Sequence, residues 1–327
     1  MARRFRFRTV DVFTDRPFTG NPLAVFPDAE GLTDDEMLAV AREMNLSETS
    51  FVLPPTDEGR AQGADYQVRF FTPGMELPFA GHPSIGTAWV LASENRFDLK
   101  PPATEVRQEL PIGVLPLSLR VKDLDPGPGI EPQVGEITMT QGDLEVIHRL
   151  DEGAIDDLCE DLEIMREDIG WPDLPRAVPI VLSTGLPHLV VPLRSREIME
   201  GIDRERAGEA VGQIIAEIGA MAIALVAPGG SGAISDADAS VRLLESRRLR
   251  IEVDPATGSA AGPIGVLLGR AARTAGATYR VVLEQGTDIG RPSRLVAEAD
   301  FDRDGRPTEV RVAGCAVAVI EGWVTLP

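Results

Sequence analysis

Two distant segments of this chain share one outline, and that outline constrains the fold more than any other feature. In AGHPSIGTAWVL (80–91) and again in ATGSAAGPIGVLL (256–268), a turn of glycines and small residues follows strand-like sequence and opens an apolar helix. The recurrence reads as an internal repeat, one α+β fold duplicated in two halves. A length of 327 residues fits two domains of ordinary size. The best boundary is DLDPGPGIEP (123–132), whose clustered prolines and glycines cannot sit inside a helix or a central strand. The expected halves are 1–128, joined by the last strands from about 311 to 327, and 129–310.

Local patterns fill in the elements. RFRFRTVDVF alternates as a strand, with Phe5 and Phe7 on one face. DRPFTGNP is a turn. A helix is expected from Thr33 to Met44, opened by a Thr33/Glu36 capping box, with Met37, Leu38, Ala41 and Met44 on its apolar side. SFVLP, YQVRFFT, VLPLSLRV, AVPIVLSTG, HLVVPL and AIALVAP read as strands. An acidic helical segment spans about 151–168. A helix from Arg204 to Ala220 carries Ala207, Ala210, Val211, Ile214, Ile215 and Ile218 on its apolar stripe. Pro83 and Pro263 stand where helices can start, the second giving PIGVLLGRAAR. The tail from YRVVLEQG onward is strand-rich.

Composition then removes function classes. A net charge of −20 repels phosphate backbones and anionic membrane surfaces, which argues against nucleic-acid and membrane partners. No stretch approaches the length of an apolar membrane span. MARRFRFRTV lacks the apolar core and cleavage site of a signal peptide. Cys159 and Cys315 are too few for a disulfide framework and fit the reducing cytoplasm. His82, His148 and His188 are too scattered for a zinc site of conventional spacing, so no metal is expected. Lys100 and Lys122 are the only lysines, which disfavours Schiff-base chemistry. Dinucleotide and nucleotide-phosphate fingerprints are missing, and PGGSGA around Ser231 is a turn rather than a nucleophile elbow.

Three places carry chemistry. Glu48, in MNLSETSF, follows a helix and precedes a strand, flanked by Ser47 and Thr49. A solvated turn glutamate fits that context; so does a carboxylate fixed at the junction of two rigid elements. His82 lies between Gly81 and Pro83 at a helix start, where open N–H groups and the positive dipole end suit a carboxylate and keep a histidine neutral. A histidine hydrogen-bonded in a turn accounts for it equally. Asp254 and Ser259 bracket the second small-residue turn. An Asx-turn aspartate and an N-cap serine would explain them as ordinary helix-start chemistry. Their pairing with the first half suggests instead two helix starts sharing one anion pocket.

At these residues the chain resembles the PhzF-type phenazine-biosynthesis isomerases, of the diaminopimelate-epimerase-like fold. VDVFTDRPFTGNPLAVF (10–26), MNLSETSFVLPP (44–55), RFFTPGMELPFAGHPSIGTA (69–88) and DPATGSA (254–260) match in order. TGLPHLVVPL (184–193) and GRPS (290–293) match more weakly. The resemblance implies two similar halves, each a mixed β-sheet wrapped around a central helix, with the active site in the cleft between them. It implies a cofactor-independent, often dimeric enzyme, hence a homodimer, that isomerises a dihydro-hydroxyanthranilic acid by moving a proton between ring carbons. Carried over by motif, Glu48 is the proton-shuttling acid/base. His82, Gly81, Asp254 and Ser259 bind the small carboxylated substrate.

The chemistry is coherent with that assignment. One carboxylate can take a proton from one carbon and return it to another on the same face, if water is kept out. Burial should raise its pKa toward that task. Related racemases use a cysteine in each glycine turn, and neither turn here has one. The chain also departs from the family pattern. Val253 stands where an acidic residue is usual, VRLLESRRLRIEV lacks the usual aromatic and proline, and the stretch 151–168 looks like an addition. These differences spare Glu48 and bear on the substrate pocket. Two competitors stay open: an epimerase with Asp254 as second base, and a non-catalytic binder of small acids.

Overall fold

The computed structural model describes residues 2–122, 134–245 and 254–327. The expected boundary segment 123–132 and the departure at Val253 lie outside them. The chain divides into two compact units, Met1–Thr140 with Ala313–Pro327, and Gln141–Val312.

The first unit contains β1 (Arg3–Val12), β2 (Asn21–Phe26), α1 (Asp34–Met44), β3 (Glu48–Leu53), α2 (Asp57–Ala61), β4 (Tyr66–Phe71), β5 (Glu76–Leu77), α3 (Gly81–Ser93), β6 (Ala103–Leu110), β7 (Gly113–Val121) and β8 (Val134–Thr140). The second contains β9 (Glu145–Arg149), α4 (Glu152–Leu162), β10 (Ile180–Ser183), β11 (Pro187–Pro192), α5 (Arg196–Gly201), α6 (Arg204–Ile218), β12 (Ala222–Pro228), β13 (Ala239–Glu245), α7 (Gly258–Ala271), β14 (Thr278–Gln285) and β15 (Ser293–Phe301). β16 (Pro307–Gly314) follows, and β17 (Ala316–Leu326) returns to the first unit, antiparallel to β1.

The repeat appears as one pairing pattern used twice. In the first unit β1–β2 is antiparallel, β2–β3 parallel, β3–β4 antiparallel, β4–β6 parallel and β6–β7 antiparallel. In the second, β10–β11, β11–β12, β12–β13, β13–β14 and β14–β15 follow the same alternation. A helix leaves after the fourth strand of each series and returns to the fifth: α3 in the first, α7 in the second. Each unit is thus a mixed sheet around a central helix, as expected.

Both central helices are buried on nearly every side, as an all-round apolar helix must be. α3 packs against β1, β2, β3, β8 and β17, and α7 against β10, β11, β14 and β15. Glycines permit the approach. A Cβ on Gly86 would sit 2.6 Å from Leu23 Cδ2 and 2.7 Å from Val12 Cγ2. One on Gly269 would sit 2.6 Å from the Phe301 ring.

Several local expectations hold. Thr33 caps α1, its hydroxyl accepting from the Glu36 amide while the Glu36 carboxylate accepts from the Thr33 amide. Met37 and Ala41 join Val40, Phe26, Phe51 and Phe71 in the core beneath α1, with Leu38 and Met44 against it. In α6, Ala207 and Ile215 enter the second unit's core and Ile214 and Ile218 pack on it; the side chains of Ala210 and Val211 lie outside the described residues.

Others need correction. α6 stops at Ile218 rather than Ala220, because Gly219 takes φ +69° and ends the helical turn. α4 stops at Leu162, where Glu163 turns left-handed, and only a short 3₁₀ turn at Arg166–Asp168 continues the acidic segment. Both central helices start ahead of their prolines, α3 at Gly81 and α7 at Gly258. Pro83 stays in the first turn, where no N–H is needed, but Pro263 lies inside α7. Cys315 sits in the link between β16 and β17.

Candidate active site

In the first unit, two elements bring Glu48 and His82 together. Glu48 is the first residue of β3, in parallel register with Leu23 of β2. Its flanks are anchored: Thr49 and Ser50 are fully buried, and Phe51 stacks on Phe26 at 5.1 Å between centroids. Gly81 and His82 are the first two residues of α3, after Ala80 at the N-cap. Ser84 secures that first turn by donating to the Ala80 carbonyl at 2.8 Å, and Gln108 donates to Ser84 at 3.0 Å. His82 Nδ1 lies 3.6 Å from Glu48 Oε2, with side-chain exposures of 4% and 12%.

The proton on His82 can be placed. Asn21 starts β2, is fully buried, and its Nδ2 lies 3.2 Å from His82 Nδ1. With the amide donating, Nδ1 is the acceptor and Nε2 carries the hydrogen. Nε2 is buried and makes no hydrogen bond among the described residues. A buried donor left unmade costs about 1–3 kcal/mol, so this atom marks a place for a ligand's acceptor. The ring is neutral, as anticipated, but the cause is burial, which pushes its pKa down to about 3.

In the second unit, Asp254 and Ser259 lie on the turn into α7. Asp254 Oδ2 accepts from the Thr257 hydroxyl at 2.6 Å. Gln285 Nε2 donates to the Asp254 carbonyl and to Thr257 Oγ1, each at 3.0 Å, while Gln285 Oε1 accepts from the Thr257 amide. Ser259 is not the N-cap. Thr257 holds that position with no side-chain cap, and Ser259 is the second helical residue. Its hydroxyl lies 2.9 Å from His188 Nε2, and both residues are buried. Ser259 therefore occupies in α7 the place that His82 occupies in α3.

Asn21, His188 and Gln285 escaped the sequence reading as site residues. Asn21 was absorbed into a turn and His188 into a strand. The scarcity of histidine in this chain was the available signal for His188. Among the described residues no group of three or more His, Cys, Asp or Glu is arranged to hold a metal ion, and no helix is long and apolar enough to cross a membrane.

The two buried imidazoles predict a pH dependence. His188 is pushed down to about 4, again by burial. The unfolded chain protonates both rings below about pH 6.5, whereas the folded chain does so only near pH 3–4. The unfolded state thus binds more protons in that window, and stability rises with pH through it. The contribution is fully present above pH 6.5 and is lost as pH falls toward 4, by roughly 1 kcal/mol per pH unit for each ring. Denaturant midpoints at pH 7, 6 and 5 should fall accordingly, and His188→Gln should flatten the slope. An unchanged slope would mean that His188 titrates normally in the fold.

Comparison with known proteins follows the same residues. The model of the phenazine biosynthesis-like protein family (PhzC-PhzF) matches residues 10–322. An uncharacterised isomerase of Clostridium acetobutylicum is 29% identical over the full length of both chains. The trans-2,3-dihydro-3-hydroxyanthranilate isomerase of Pseudomonas aeruginosa is 30% identical, covering 97% of this chain and 98% of that one. A Bacillus anthracis phenazine biosynthesis protein of the PhzF family superposes with a TM-score of 0.80 at 24% identity, covering 98% and 99% of the two chains, and shares the fold. Matched along almost its whole length, this chain belongs to the phenazine biosynthesis-like family.

Proposed function

We propose that this isomerase moves a proton between two carbons of a small, unsaturated or cyclic amino or hydroxy acid, with Glu48 as the single acid/base. The carrying observation is the carboxylate of Glu48 held at a strand start, 3.6 Å from a buried, neutral histidine. The carboxylate removes a proton from one carbon. The electron pair delocalises toward the substrate's carboxylate, and the protonated Glu48 returns the proton to another carbon on the same face. His82 Nε2–H supplies a donor where negative charge grows, at no reorganisation cost. Gly81 lets backbone approach the ligand. Asp254 and Ser259 take the substrate-binding roles that the family motif implies.

The pairing pattern favours one base over two. Ala222 begins β12 as Glu48 begins β3, so the second unit carries no carboxylate at the corresponding strand start. Asp254 is already engaged by Thr257. The reading also includes a cytoplasmic, cofactor-independent homodimer.

The P. aeruginosa relative is named for trans-2,3-dihydro-3-hydroxyanthranilate, which makes that acid the first substrate to test. In D₂O, mass spectrometry should find isomerised product and solvent deuterium at the accepting carbon. Neither product nor exchange, with this acid or with a panel of small unsaturated amino and hydroxy acids, would sink the reading.

A further inference from the structure

We infer that His188 is a positioning residue that fixes the Ser259 hydroxyl as a hydrogen-bond donor toward the substrate's carboxylate. The inference rests on the proposed function for the ligand, and on the second unit alone for the geometry.

His188 comes from β11 and is 3% exposed, with Nε2 2.9 Å from Ser259 Oγ. Its other nitrogen, Nδ1, is buried and makes no hydrogen bond among the described residues. One of the two nitrogens carries the hydrogen. At His82 the Asn21 amide can only donate and so fixes the tautomer, whereas the Ser259 hydroxyl could donate or accept; here a hydrogen on Nδ1 would bury an orphaned N–H, which folded proteins avoid more strictly than an orphaned acceptor. The hydrogen therefore belongs on Nε2, and Nε2–H donates to Ser259 Oγ. With Nε2–H filling one of the oxygen's two lone pairs, the hydroxyl's own hydrogen points away from the ring and can be offered to a ligand.

The usual local outlet for that hydrogen is not taken. A helical serine tends to bond back to the carbonyl four residues earlier, as Ser84 does to Ala80 in α3. For Ser259 that carbonyl is Pro255, and among the described residues the Ser259 hydroxyl bonds to His188 and not back to Pro255. The Ser259 hydroxyl lies in the first turn of α7, where amides without helical partners already favour an anion. The first unit has a related device: Asn21 engages Nδ1 of His82, the second residue of α3, and leaves Nε2 without a partner among the described residues.

The same pair resembles a serine nucleophile with its base, and the structure argues against that use. A base would need Nε2 unprotonated and Nδ1–H held by an acceptor, and Nδ1 has none.

The test uses the full chain labelled with ¹⁵N-histidine. Three histidines give a small spectrum, assigned by His82→Gln and His188→Gln. Free enzyme should show His188 protonated at Nε2, and Ser259→Ala should shift that resonance while leaving His82 in place. With 3-hydroxyanthranilate as probe, His188→Ala should weaken binding about tenfold, and His188→Gln should restore most of it. Ser259→Ala with His188→Ala should bind no worse than Ser259→Ala alone, since coupled residues are not additive. A His188 protonated at Nδ1, additive losses, or covalent labelling of Ser259 by a fluorophosphonate would overturn the inference. The tautomer is read without ligand. Failure of wild type to bind or isomerise any acid while His188 is protonated at Nε2 would count against the proposed function and the assigned ligand, not against the hydroxyl's orientation.

Discussion

Glu48→Gln should abolish both isomerisation and solvent exchange while leaving the fold intact. The substitution keeps the size of the side chain and removes its ability to accept and return a proton. Positioned acid/base groups contribute about 10²- to 10⁴-fold, and here one group performs both transfers, so a loss toward the upper end is expected. Glu48→Asp should fall between, because it withdraws the carboxylate by about one methylene while keeping its chemistry, and misplacement of that order costs about 10²-fold. Rates should be compared with thermal melts of the same preparations. Glu48 sits at a strand end with 12% side-chain exposure, so neither change should lower the melting temperature appreciably. Exchange persisting at the wild-type rate in Glu48→Gln would assign the proton transfer to another group.

Gly286→Ala should be far more damaging than Gly290→Ala. Gly286 has φ +77°, and a Cβ there would lie 2.5 Å from both the Arg291 and Pro255 carbonyl oxygens. Neither contact can be relieved by a rotamer, since both are backbone. Left-handed strain and overpacking together suggest a loss of roughly 2–4 kcal/mol. Gly290 supplies the control. Its φ is +74° with nothing within 4 Å of the added methyl, so Gly290→Ala should cost only about 1 kcal/mol. Denaturant melts of the pair separate strain from collision. The collision has a functional side too, because Pro255 follows Asp254: Gly286→Ala should weaken acid binding, and Gly290→Ala should not. Equal stability losses in the two variants would contradict the close approach.

What the sequence disclosed was local or periodic. The Thr33/Glu36 box is a four-residue pattern, and it marks the start of α1 correctly. The apolar helices were visible because glycine, alanine and branched residues crowd together in them. β6 was missed because its alternating positions in ATEVRQEL are largely charged and only one face meets the core. α7 starts before Pro263, the residue at which the sequence suggests an opening, because the small residues ahead of it already follow the helical path. Glu48, His82, Asp254 and Ser259 were named from motif. Their partners were not, since Asn21 meets His82 across 61 residues and His188 meets Ser259 across 71. Those contacts depend on strand order, which no local pattern records.

The return of β17 to β1 fixes an order of events during synthesis. Residues 141–312 are contiguous, so the second unit can close all its internal contacts as soon as its own chain has emerged. The first unit cannot. β1 waits for a partner, β17, that is made only after the whole second unit. Until then its outer edge carries open N–H and C=O groups, a template for pairing with other chains. Arg3, Arg4, Arg6 and Arg8 give that waiting strand a run of positive charge that discourages a second copy from adding on. The unit that holds Glu48 and His82 is therefore completed after the other, and the carboxylate gains its finished surroundings only once β17 has emerged.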